Sequence, residues 1–174
     1  MSSKNVLDPI WRSYKTTIDC LKIAERVLEN ENISLKEKTK FAEWEKEEAE
    51  DRIYESRTFA DDHVIVSLWA VFERKLLDYL QKEGNRLLLG AATNFSLQVH
   101  RKIESEMEYW KSDDILNIFK TVVDPDLIGN AKQVKKYRDW IAHKNPNKNA
   151  PSNISPLGAY EILKKIIMDL ESAM

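Results

Sequence analysis

Val64-Ile65-Val66-Ser67-Leu68-Trp69-Ala70-Val71-Phe72-Glu73-Arg74-Lys75-Leu76-Leu77-Asp78-Tyr79-Leu80 is the most hydrophobic stretch of the chain. Val64, Leu68, Trp69, Phe72, Leu76, Leu77, Tyr79 and Leu80 recur in it at helical spacing. An apolar face this broad needs cover from several sides, so the stretch reads as a central helix. Asp61 or Asp62 is the expected cap, and Gly84-Asn85 the expected left-handed stop. Glu73 lies in the middle of the stripe. It either faces solvent or turns inward to hold a cation.

The flanking segments repeat the helical period. Asp8-Pro9 is expected to cap and open a first helix whose inner stripe is Trp11, Tyr14, Ile18, Leu21, Ala24 and Leu28. Ser34-Leu35-Lys36-Glu37 has the form of a capping box before a charged, peripheral helix carrying Phe41, Trp44, Ile53 and Tyr54. After the connector 86–92, a helix is expected from Asn94 to Lys111, facing inward at Leu97, Ile103, Met107 and Trp110. Asp113-Asp114 caps a short helix through Phe119. Asp124-Pro125-Asp126 opens the next, with Leu127, Ile128, Ala131, Val134, Tyr137 or Arg138, Ile141 and Ala142 in period. Residues 145–153 read as a polar loop. Ser155-Pro156 starts a last helix with Tyr160, Leu163, Ile166, Ile167 and Leu170 inward. Gly and Pro number only four and five, and strand-like alternation is rare. The expectation is an all-α protein, an antiparallel helical bundle of six or seven helices with peripheral additions.

The length of 174 residues suits one domain. Residues 1–58 read as an N-terminal helical hairpin or extension, and 59–174 as the bundle. No run approaches the roughly 18 apolar residues of a membrane span, and the first residues lack a signal-peptide core. A cytoplasmic protein with no membrane partner is expected. Cys20 is the one cysteine, which leaves no disulfide framework. On an apolar helix it reads as a small core residue.

Net charge is −2, which argues against a surface that binds nucleic acid everywhere. The distribution is uneven. Between Ala131 and Lys148 lie Lys132, Lys135, Lys136, Arg138, Lys144 and Lys148 against the single anion Asp139. The stretch Tyr137-Arg138-Asp139-Trp140-Ile141-Ala142-His143 in this patch gathers a guanidinium, a carboxylate and an imidazole. Arg138 and His143 are five positions apart, about 140° around a helix axis. They can flank one groove if the helix ends at His143, as Asn145-Pro146 suggests. An imidazole in a last helical turn can move protons near neutral pH. A guanidinium can grip a phosphate in bidentate fashion, and Asp139 can orient the imidazole or a neighbouring Arg.

This set suits RNA cleavage by the 2′-hydroxyl, with His143 moving protons and Arg138 stabilising charge on the phosphoryl oxygens. No metal or other cofactor is called for, and His63, His100 and His143 form no ligand motif with Cys20. There is no glycine-rich phosphate loop and no recognisable Ser or Cys nucleophile motif, which disfavours kinases and hydrolases of those types. Arg57 and His63, six positions apart, form a second pair of the same kind. They rank second because Asp61-Asp62 beside them reads as a helix cap.

Arg138-Asp139-Trp140-Ile141-Ala142-His143, in the penultimate helix of an all-helical domain, resembles the signature of the HEPN family (higher eukaryotes and prokaryotes nucleotide-binding). In that signature an Arg, often followed by a polar residue, precedes a His after four to six positions. Trp69 to Leu76 resembles the aromatic-and-Glu helix of many such domains. The resemblance runs from about Asp61 to Met174. It implies a metal-independent endoribonuclease of toxin or host-defence type, working as a homodimer with two motifs facing a cleft and held in check by a cognate antitoxin. Arg138 and His143 would be catalytic and Asp139 supportive, with Tyr137, Lys144, Lys148 and Glu73 around the RNA. A subgroup with Tyr two residues past the His is not matched, since Asn145 stands there. The alternatives are a non-catalytic helical module that binds RNA or protein and keeps the motif, or an interaction protein acting through its charged second helix.

Overall fold

The structure is a computed structural model, and it describes residues 5–30, 33–88, 93–143, 149–151 and 154–173. Its α-helices are α1 (Asp8–Glu29), α2 (Ile33–Lys36), α3 (Lys46–Leu88), α4 (Asn94–Met107), α5 (Ser112–Ile118), α6 (Pro125–His143) and α7 (Pro156–Ser172). Single 3₁₀ turns cover Lys40–Ala42 and Phe119–Thr121. The protein is all-α.

Helix α3 organises the fold. It is 43 residues long, or about 65 Å at 1.5 Å per residue, and it contacts α1, α4, α5, α6 and α7. The sequence carries no proline between Pro9 and Pro125, so nothing forces a break. The expected cap at Asp61-Asp62 is therefore replaced by continuous helix. The two carboxylates are recruited sideways instead. Tyr14 Oη donates to Asp61 at 2.6 Å, and Tyr137 Oη lies 3.5 Å from Asp62, which is only 6% exposed. The boundary expected near residue 58 falls inside this helix.

Gly84 is not a left-handed stop either. It lies within α3, and among the described residues no glycine has a positive φ. A Cβ there would come within 3.1 Å of His100 Nε2, so the missing side chain allows α4 to approach.

Two apolar clusters use the two halves of α3. The larger holds Leu68, Trp69, Phe72 and Leu76 against Leu116 of α5, Ile128, Ala131 and Val134 of α6, and Leu163, Ile166 and Ile167 of α7. The smaller holds Ala49 and Ile53 against Leu28 of α1, with Phe41 and Trp44 at its edge. Tyr54, expected among these apolar contacts, is exposed. Contacts such as Tyr14–Asp61 and Leu28–Ala49 place early α1 against later α3, so the pair is antiparallel.

The helix ends show where local signals were overruled. The helix expected from Ser34 lasts one turn, α2, because Lys38 turns left-handed at φ 63°. Asp8 is the first residue of α1 and not its cap. The cap residue is Leu7, with no side-chain cap, and Asn5 Oδ1 accepts from its amide at 3.0 Å. The Asp8 carboxylate accepts from Tyr160 Oη at 2.8 Å and Lys164 Nζ at 3.1 Å, joining α1 to α7. Cys20 is exposed, since it lies off the Ile18–Leu21–Ala24 stripe. Helix α4 stops at Met107 as the chain tightens through Trp110. Ile103 of α4 and Ala142 of α6 face solvent rather than core.

Other signals act as read. The Asp126 amide donates to Asp124 Oδ1 at 2.8 Å where α6 opens. Ser155 caps α7 through the Gly158 amide at 3.1 Å. Most of the expected loop 145–153 lies outside the described residues.

Candidate functional site

Helix α6 carries the motif. Ile128, Ala131 and Val134 bury its inner face, which fixes the rotation of its last two turns. Tyr137, Arg138, Asp139 and Trp140 are then half-buried at its flank, and His143 is exposed at its end. Tyr137 and Trp140 lie with ring centres 5.7 Å apart. Arg138 and His143 are separated by about 7.5 Å along the axis and about 140° around it. Lys144 and Lys148, expected to flank the motif, lie outside the described residues.

Arg138 points at α3, where Trp69 and Glu73 stand one turn apart. Its guanidinium carbon is 5.5 Å from the centre of the Trp69 ring, which is only 1% exposed. Such a stack holds the plane of the cation. Nη1 lies 2.9 Å from Asp139 Oδ1. Nη2 lies 3.7 Å from Glu73 Oε2, beyond hydrogen-bond reach. Nε is buried and has no hydrogen-bond partner. Of the two roles open to Glu73, turning inward toward a cation is the one observed.

The carboxylates are themselves held. Asp139 Oδ2 accepts from Lys135 Nζ at 2.9 Å, and Lys135 Nζ lies 3.9 Å from Asp113. Glu73 Oε1 accepts from the Ser112 hydroxyl. A ring of polar contacts thus runs Ser112–Glu73–Arg138–Asp139–Lys135–Asp113, beginning and ending on adjacent residues at the start of α5. Asp139 serves two cations in it, which corresponds to the Arg-orienting role and not the imidazole-orienting one.

The basic patch changes character in three dimensions. Lys132 Nζ donates to Asn117 Oδ1 at 2.8 Å, and Lys135 and Arg138 are engaged in the ring, while Lys136 is exposed. Folding brings Glu73 and Asp113 to a segment that is almost purely cationic in sequence. Three carboxylates therefore surround two cations at the motif.

Trp69, Ser112, Lys135 and Asp113 were not singled out as site residues. Two of them had a local signal, since Trp69–Glu73 and Lys135–Asp139 are i, i+4 pairs that share a helix face. Ser112 is 39 residues from Glu73, and Asp113 is 22 from Lys135, so α5 must pack on α3 and α6 before either contact forms.

The Arg57–His63 pair is distinct in setting. Both lie inside α3, so the helix-cap argument against them fails. Arg57 is tied to Glu25 at 3.0 Å, and His63 packs on Phe59 with ring centres 4.1 Å apart. His63 and Phe59 border an open groove of about 630 Å³ between α1 and α3, lined also by Ile10, Tyr14 and Val64. A smaller cavity of about 260 Å³ borders Glu73, with Arg74, Glu108 and Trp110 in its wall.

Among the described residues no three His, Cys, Asp or Glu side chains form a group able to hold a metal ion. No described helix is long and apolar enough to cross a membrane. The fold and site define an all-helical protein with a guanidinium clamped between two helices and an imidazole at the end of one of them. Compared with known protein families, curated proteins and solved structures, the chain matches none of them.

Proposed function

We propose that the protein is an endoribonuclease of the HEPN type that needs no metal ion and acts in the cytoplasm. The observation that carries the reading is Arg138, placed over the Trp69 ring with a buried Nε that has no hydrogen-bond partner, on the same helix whose last residue is the exposed His143. In the reaction the 2′-hydroxyl oxygen attacks the adjacent phosphorus as its proton leaves. The bond from phosphorus to the 5′-oxygen breaks, giving a 2′,3′-cyclic phosphate and a 5′-hydroxyl. Arg138 binds the non-bridging oxygens as charge builds on them. His143 moves a proton, and its counterpart from a second copy of the chain serves the other oxygen in a homodimer cleft. Asp139 orients Arg138, and Glu73 stands beside the guanidinium without a hydrogen bond to it. In this reading Tyr137, Lys144 and Lys148 contact the RNA. A toxin or host-defence role with an antitoxin partner belongs to this reading.

The ring of carboxylates favours a second reading, a helical module in which Arg138 joins α6 to α3 and the motif does not cleave. RNA cleavage with EDTA present, comparing wild type with His143→Ala, separates the two. Cleavage by wild type alone, leaving 2′,3′-cyclic phosphate ends, is expected. Salt-sensitive RNA binding without cleavage would favour the module. Equal cleavage by both proteins would remove His143 from the mechanism.

A further inference from the structure

A guanidinium offers its best bidentate edge where Nε–H and one terminal N–H point the same way. In Arg138 the terminal nitrogen on that edge is Nη2. Nη1, on the other edge, is engaged by Asp139 at 2.9 Å. The Nε–Nη2 edge is not filled. Nε is buried without a partner, and the nearest carboxylate oxygen to Nη2, Glu73 Oε2, stands off at 3.7 Å. A buried N–H with no hydrogen-bond partner, beside an ion pair that stops short of hydrogen-bond distance, is an unusual thing for a fold to keep, because a closer approach would satisfy both.

Glu73 has a restraint that accounts for the gap. Its Oε1 accepts from the Ser112 hydroxyl, and Ser112 is the first residue of α5. The carboxylate is therefore held from a third helix while it faces Arg138. On another side Glu73 borders the cavity of about 260 Å³, so it has room to withdraw when another anion arrives.

We propose that Ser112 is a positioning residue: by holding one oxygen of Glu73 it keeps that carboxylate from closing on Arg138, and so reserves the Nε–Nη2 edge for a phosphate group. The proposal rests on Arg138 as the phosphate-binding residue of the reading above, and it adds the device that keeps that residue available. Without the hydroxyl, Glu73 swings onto the guanidinium and satisfies Nε–H and Nη2–H itself. An incoming phosphate must then break a charge-assisted, two-point contact.

The test reads phosphate binding directly and does not depend on cleavage. In ¹⁵N-labelled protein the Arg138 Nε–H resonance, assigned by its loss in Arg138→Lys, is followed during titration with methyl phosphate. Wild type is expected to show a saturable shift. Ser112→Ala should bind at least roughly tenfold more weakly, the lower end of what one charge-assisted hydrogen bond is worth. Ser112→Thr, which keeps the hydroxyl, should behave as wild type. Glu73→Gln, alone or combined with Ser112→Ala, should bind at least as tightly as wild type because the competing charge is gone. If Ser112→Ala fails to fold, Ser112→Gly supplies a second hydroxyl-free variant, with the same weakening expected and the same unchanged affinity overturning the proposal.

The proposal is overturned by an Arg138 resonance that ignores methyl phosphate, by unchanged affinity in Ser112→Ala, or by weaker binding in Glu73→Gln. RNA cleavage measured on the same proteins is read separately. The expected phosphate pattern without cleavage would sink the ribonuclease reading and leave Ser112 in its role.

Discussion

Arg138→Ala and His143→Ala should separate in stability even though both belong to one motif. Arg138 packs on the buried face of Trp69, an interaction worth roughly 0.5–2 kcal/mol according to its desolvation. Its contact with Asp139 is partly exposed, with side chains 25% and 36% accessible, so about 0.2–1 kcal/mol is appropriate. The 3.7 Å approach to Glu73 adds nothing that can be counted. The loss in Arg138→Ala is therefore about 1–3 kcal/mol. At about 2–4 °C per kcal/mol for a chain of this size, Tm should fall by about 2–12 °C. His143 is exposed at the end of α6, and its replacement should stay within about 0.5 kcal/mol. Urea titrations and thermal melts of the three proteins measure this, and a double-mutant cycle with Asp139→Asn isolates the pair. An Arg138→Ala protein as stable as wild type would refute the claim that this guanidinium ties α6 to α3. The consequence for activity is practical. Cleavage by Arg138→Ala must be assayed well below its Tm, and Arg138→Lys, which keeps charge but loses the planar fork, is the better probe of chemistry.

Thr58→Pro tests the continuity of α3: it should cost about 3 kcal/mol or more in an uninterrupted helix, whereas a break near residue 58 would tolerate it. Gly129→Ala should stabilise by about 0.5–1 kcal/mol, since Gly129 lies inside α6 and a Cβ there meets nothing within 4 Å; a lower Tm would contradict this. Burial opposes ionisation of Asp8, but the hydrogen bonds from Tyr160 and Lys164 outweigh it and hold the carboxyl below its ordinary 3.8. Its stabilisation is thus present above the unfolded value and lost as pH falls through the folded one. Acid titration of stability in Asp8→Asn should show a shallower loss below about pH 4 than wild type. Tyr79 is pushed up to about 12 by burial and then by Glu171. Its contribution is complete below the usual tyrosine value near 10 and disappears toward 12, so Tyr79→Phe should flatten the alkaline limb of a stability profile.

The sequence by itself determined the helical class, the inner faces of α1, α6 and α7, and the place of the motif at the end of α6. Those readings depend on periodicity, and a side chain's face on a helix is a local property. It also held the i, i+4 pairs Trp69–Glu73 and Lys135–Asp139, legible as shared faces though not as a site. Local signals misled where tertiary partners outbid them. Asp61 and Asp62 look like a cap, but Tyr14 and Tyr137 reach their carboxylates from α1 and α6. The segment from Lys46 to Leu88 contains no proline, so nothing in it breaks α3. Gly84 looks like a stop, but it makes room for His100 of α4. Only the tertiary structure decided the charge of the motif. The sequence sets Arg138 among lysines, and the fold brings Glu73 from α3 and Ser112 and Asp113 from α5 around it. Charge is a short-range property of assembled neighbours in a screened medium, so the partners of a guanidinium cannot be read until the helices that carry them are packed.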